Sequence, residues 1–147
     1  RFVMKIEDIQ NLWSQDVKID HTELSHEALR IPSLHSKYYN IFSQERLRLR
    51  KFETELKKLK LEKHEFFTQG PTPETHERGW KLPPVGRVIK SEVNNYIDAD
   101  DDIINLTLKI GIQQEKVEML DSIIRSLTNR GFLIKSAIDF EKFKVGM

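Results

Sequence analysis

Apolar residues recur along this chain at spacings of three and four, and those spacings delimit its elements. Ile6, Ile9, Leu12 and Trp13 predict a short amphipathic helix over 5–15. The run DVKID is a connector. Asp20 followed by Glu23 has the form of a capping box and predicts the start of a second helix. Pro32 lacks an N–H and crowds the preceding turn, so a kink or break is expected there. From Ser33 to about Thr68 no glycine or proline intervenes, which allows a helix of about 50 Å. Gly70, Pro71, Pro73, Gly79, Pro83, Pro84 and Gly86 then mark 70–86 as a non-helical loop or mobile arm. Residues 88–97 suggest a short helix. A second long helix follows DADDD (98–102) and is expected to end near Arg130, with Gly131 as its C-cap. The tail FLIKSAIDFEKFK places Phe132, Ile134, Ile138 and Phe143 at helical spacing.

Both long helices carry heptad-like seams. In the first, Tyr38, Phe42, Glu45, Leu49, Phe52, Leu56, Leu59, Lys63 and Phe66 alternate steps of four and three. In the second, Ile103, Leu106, Ile110, Gln113, Val117, Leu120, Ile124 and Leu127 do the same. A seam this narrow buries itself against another helix, of the same chain or of another. Glu45, Lys63 and Gln113 are costly in a dry seam, so they set register or mark wet points. The fold class expected is all-α: an elongated protomer with two long amphipathic helices in a hairpin or coiled-coil-like arrangement, a Pro/Gly-rich central loop and a C-terminal helix. The expected divisions are a cloning remnant at 1–3, a helical region at 4–69, the loop at 70–86 and a C-terminal helical region at 87–147.

Composition narrows the chemistry. The chain has 147 residues, 32% charged and 38% hydrophobic, with a net charge of +1. Affinity for a polyanion must therefore come from clustering of charge. There is no cysteine, which removes disulfides and thiolate zinc sites. No secretory signal is evident, and no apolar run approaches the roughly 20 residues of a membrane span. A cytosolic location is the default expectation. The five histidines show no metal-binding spacing, and DADDD lacks the glycine and distal glutamate of a calcium loop. No phosphate-cradling glycine loop, nucleophile elbow or other catalytic constellation is present. No enzyme activity, metal or cofactor is expected.

The cluster is in LRLRKFETELKKLKLEKHEFFTQG, residues 47–70. Between 46 and 63 lie eight basic residues and three acidic ones. Arg46, Arg50, Lys57 and Lys60 fall within a sector of about 80°, beside the apolar seam. Lys58 and Lys63 add to the set, and Phe66 and Phe67 end it. A row of cations can neutralise successive phosphates and release their counterions. Exposed aromatic rings stack on bases without reading their identity. The alternative is a solvated helix face, its cations paired with Glu53, Glu55 and Glu62 and Phe66 belonging to the core.

The chain resembles the UvsY-like recombination mediators of T4-like bacteriophages. MKIEDIQ (4–10) and DVKIDHTELSHEA (16–28) look like that family's opening, and RGFLIKSAIDFEKF (130–143) like its turn into the last helix. LKLEKHEFFTQG is similar to the family's basic–x–basic–Leu–Asp–Tyr–Tyr–Ser–Gly segment. The match spans nearly the whole chain and is weakest over 70–100. Its pieces are specific through their order and spacing together.

The resemblance implies sequence-independent binding of single-stranded DNA. It also implies a ring-like homo-oligomer, hexamer or heptamer, in the cytoplasm of the infected bacterial host. The implied role is loading a RecA-like recombinase onto strands coated by the phage single-strand binding protein. The family's second motif cation falls on Lys63 and its first on Leu61, with Lys60 adjacent. The paired tyrosines become Phe66 and Phe67. A helix end that frays to expose Lys63 would reconcile its seam position with that role. Self-association maps to Phe132, Ile134, Ile138 and Phe143. A coiled-coil scaffold without direct DNA binding is the competing reading.

Overall fold

The computed structural model describes residues 3–146. Arg1 and Phe2, read above as part of a remnant, lie outside the described residues, as does Met147. The described residues form helices α1 (Ile6–Asp16), α2 (Leu24–Gln69), α3 (Pro73–Glu77), α4 (Val93–Asp98) and α5 (Asp101–Lys144), with no strand among them. The fold is all-α, as the spacing of apolar positions predicts. Contacts divide the chain into two compact units. Unit 1 comprises 1–47 and 113–147, and unit 2 comprises 48–112. This division is not the linear one expected, because each unit pairs a stretch of α2 with a stretch of α5.

In unit 1 the seams meet as predicted. Ile9, Leu34, Tyr38, Leu120, Ile123 and Leu127 form its core, with Trp13 packed edge-on against Tyr38 at 5.5 Å. The seam polars are paired. Gln113 Nε2 donates to the Glu45 carbonyl at 2.7 Å, and Lys116 Nζ lies 3.5 Å from the Glu45 carboxylate. These buried groups therefore set register in the seam, since leaving any of them unpaired would be costly. Lys37 and Tyr38 both donate to Asp16 Oδ2 at 2.7 Å, and Arg130 donates to the Val17 carbonyl at 2.7 Å. Burial alone would raise the Asp16 carboxyl, but those two hydrogen bonds outweigh it and hold its pKa below the ordinary value. The Arg30 guanidinium holds Glu27 low in the same way, against the opposing effect of burial.

Four helix boundaries differ from expectation: the short helix suggested over 88–97 begins only at Val93, as α4, and three others follow. α2 runs through Pro32 without a break. Glu27, Leu34 and Tyr38 are buried on either side of this exposed proline, so tertiary packing holds the segment helical. α2 opens at Leu24, and Asp20 stabilises the turn ahead of the helix instead of forming the expected box. Its carboxylate accepts from the backbone N–H and hydroxyl of Thr22, while its own N–H donates to Glu27. α5 continues through Gly131 to Lys144. Leu127, Arg130 and Ile134 are buried around Gly131, and a helix held on both sides has no reason to stop at a glycine.

Unit 2 has its own core of Phe66, Phe67, Val88, Val93, Ile97 and Ile103, covered by Leu56, Leu59, Trp80, Leu82 and Tyr96. The segment 70–86 is not a structureless arm. Thr72 caps α3 and Pro73 occupies its first turn, where a missing N–H costs nothing. Trp80 and Leu82 then fold onto the core. The Val88 N–H donates to the Phe67 carbonyl at 2.8 Å and ties the returning chain to the end of α2. Gly70 ends α2 at φ +97°, a conformation side chains resist.

Candidate nucleic-acid interface

On the stretch of α2 within unit 2, Phe52, Leu56, Leu59, Lys63, Phe66 and Phe67 turn inward, and the opposite side faces solvent. Arg50, Lys51, Lys57, Lys58 and Lys60 are all exposed. Arg50, Lys57 and Lys60 share a sector of about 80°, and Lys51 and Lys58 lie on the next quarter of the helix. Among the described residues none of these five lies in an ion pair. The exposed carboxylates on the same stretch are Glu53, Glu55 and Glu65, while Glu62 pairs with Arg78 at 2.7 Å. The result is a solvent face with surplus positive charge on a continuous helix. Lys109 of α5, missed by sequence reasoning, adds a further exposed cation with its ammonium 4.4 Å from the Phe52 ring centroid.

Three expected members of the site are elsewhere. Lys63 is 3% exposed. Its ammonium lies 3.0 Å from Asp100 Oδ1, 2.8 Å from Asp102 Oδ2 and 3.8 Å from the Trp80 ring centroid. α2 stays helical past Lys63 to Gln69, and Asp100 also caps α5 by accepting from the Ile103 N–H. Lys63 thus joins α2, the Trp80 segment and the start of α5. Phe66 and Phe67 are buried, with Phe66 edge-on to Trp80 at 5.5 Å and Phe67 6.2 Å from Tyr96. Neither presents a stacking face to solvent, because the returning segment covers both. Trp80, Asp100 and Asp102 were not recognised as site partners. The signal for them was a lysine on an apolar seam, which demands an anion, and DADDD is the nearest run of carboxylates.

The remaining expected residues belong to unit 1. Arg46 is half-buried, its guanidinium 5.0 Å from the Phe42 ring centroid, and is not part of the exposed row. The expected oligomerisation set does not share a face. Phe132 and Phe143 are exposed, Ile138 is half-buried and Ile134 is buried, because positions 132 and 134 differ by about 200° around the helix. No group of residues able to hold a metal ion occurs among the described residues. Among the described residues no helix is long and apolar enough to cross a membrane.

Residues 12–147 match the family described as "Recombination, repair and ssDNA binding protein UvsY". The chain belongs to the UvsY family. The recombination protein uvsY of Enterobacteria phage T4 is 26% identical over 144 residues, covering 97% of this chain and 99% of that protein. A crystal structure of the bacteriophage T4 recombination mediator protein UvsY, lattice type II, superposes with a TM-score of 0.81. It is 26% identical and covers 98% of this chain and all of that one. Lattice type I gives 0.77 at 24% identity, over 93% and 98% of the two chains. The UvsY fold thus extends over nearly the whole chain. It includes 70–100, where the sequence resemblance is weakest.

Proposed function

We propose that this chain is a recombination mediator that binds single-stranded DNA without sequence preference. In this reading it promotes loading of a RecA-like recombinase onto strands coated by the phage single-strand binding protein, in the infected bacterial cytoplasm. The observation that carries the reading is the row Arg50, Lys51, Lys57, Lys58 and Lys60, exposed and outside any ion pair, on a helix whose other face is locked into a core. Such a row attracts phosphates wherever the strand lies and reads no base edge. Lys63, Phe66 and Phe67 act as positioning residues, because they fix the helix that displays the row. Self-association, through the exposed apolar side of α5 near its C-terminal end, repeats the row in each copy. One strand then binds several weak sites at high effective concentration. A strand held along such an assembly is pulled from the competing single-strand binding protein and offered to the recombinase.

The test is fluorescence anisotropy of a labelled single-stranded oligonucleotide. The double variant Lys57→Glu/Lys60→Glu should lose binding by at least about a hundredfold at unchanged far-UV circular dichroism. Unchanged affinity would place the strand on another face. No binding by the unaltered chain, even in low salt, would favour the scaffold reading.

A further inference from the structure

Burial of Phe66 and Phe67 leaves the cation row of α2 without the aromatic platform expected to end it. Single-strand sites join a basic track to a surface on which the bases lie. Unit 2 has a different candidate for that surface. A groove of about 450 Å³ opens where α2 meets α4, lined by Lys60, Leu61 and His64 of α2 and Asn94, Ile97 and Asp98 of α4. Sites for small molecules span about 300–1,000 Å³.

The lining is apolar within and polar at its rim. Ile97 is buried, whereas Leu61 is 60% exposed and presents its side chain to the groove. His64 is half-buried, and among the described residues its imidazole makes no hydrogen bond and no ring contact. The side chains of Lys60, Asn94 and Asp98 are exposed and likewise lie in no hydrogen bond or ion pair among the described residues. Four polar groups without partners of their own thus converge on an apolar surface, which is the composition of a ligand site.

The groove opens on the side of α2 that carries the row. Lys57, Lys60, Leu61 and His64 fall within a sector of about 100°, and Lys60 belongs to both features. A strand whose phosphates lie on Lys57 and Lys60 therefore has its bases beside Leu61 and His64. The Asp98 carboxylate repels phosphate, so the groove admits the base and leaves the backbone outside. We infer that the α2–α4 groove seats one nucleobase of the bound strand, against Leu61 and His64 and with its edge towards Asn94. The inference rests on the single-strand binding proposed above and adds a seat for the bases to the track for the phosphates. The Asn94 amide has both donors and an acceptor, so it meets the edge of any base. Contact with a base face carries no sequence information, in keeping with binding that has no sequence preference.

Two labelled strands of equal length and charge test this by fluorescence anisotropy on the full chain. One is an oligothymidylate, and the other is its abasic counterpart with the same phosphates. The unaltered chain should prefer the oligothymidylate by at least about tenfold. Leu61→Ala/His64→Ala should remove that preference, with affinity for the abasic strand kept within about twofold and the salt slope unchanged. Asn94→Ala, at an exposed position on the opposite wall, should reduce the preference by about threefold. Circular dichroism confirms that each variant is folded, and Asn94→Ala decides alone if the double variant is not. A full preference retained in the folded variants overturns the inference. Equal, salt-dependent binding of both strands by the unaltered chain overturns it too, while the phosphate-binding row stands. Binding of neither strand removes the row and the groove together.

Discussion

Replacing Lys63 distinguishes a residue that builds the interface from one that touches DNA. Its ammonium is buried between Asp100 and Asp102 and sits over Trp80. Lys63→Met keeps the apolar stem and removes the charge, leaving two carboxylates near each other without their cation. Breaking a fully buried pair costs about 3–5 kcal/mol. The Asp102 side chain is 52% exposed and can rehydrate, whereas that of Asp100 is 14% exposed and cannot do so fully. The lower end, about 3 kcal/mol, is therefore expected, and it includes any loss from the ring contact. Against a total stability of about 5–15 kcal/mol this is large. In a Trp13→Phe background Trp80 is the sole tryptophan, so its fluorescence follows unit 2 during urea unfolding. The midpoint should fall by about 1–3 M. Under conditions where the variant remains folded, oligonucleotide affinity should fall by less than about threefold. A wild-type midpoint with affinity lost would refute the reasoning and make Lys63 a phosphate contact.

Phe67→Ala should destabilise unit 2 by about 3–5 kcal/mol in the same urea assay, because the ring fills a core. An exposed stacking residue would leave the midpoint unchanged. Unit 1 should weaken in acid. Asp16 and Glu27 have folded pKa values below the ordinary ones, so their contribution is present above about pH 4 and is lost as pH falls through the depressed values. Asp16→Asn should flatten that acid limb in melts followed by Trp13 fluorescence. A limb of unchanged steepness would assign it to other carboxylates.

The seams were legible because burial demands a repeat. Every position from Tyr38 to Phe66 and from Ile103 to Leu127 assigned to them is buried or half-buried. The boundaries were less so, because Pro32 and Gly131 are breakers by local rules and both lie beside buried side chains that outweigh local preference. The Gly131 position, for example, approaches the Ile31 side chain. The exposed Arg50, Lys57 and Lys60 could be read from their angle to the seam, whereas Arg46, assigned to the same sector, is half-buried. The fate of Lys63, Phe66 and Phe67 could not. It depends on residues that return from far along the chain: Trp80, Val88 and an aspartate 39 positions away. Helical periodicity placed Lys63 on the seam but could not supply its anion.

The most direct test of the account is the salt dependence of binding to a labelled single strand. Each phosphate neutralised should contribute about −0.7 to the slope of log K against log salt. The five exposed cations of the α2 row set a slope of up to about −3.5 per protomer engaged. The variant Lys57→Glu/Lys60→Glu should make any residual slope shallower by at least about 1.4. Binding that ignores salt, or a slope untouched by those two substitutions, would contradict the claim that this solvent-facing row holds the strand.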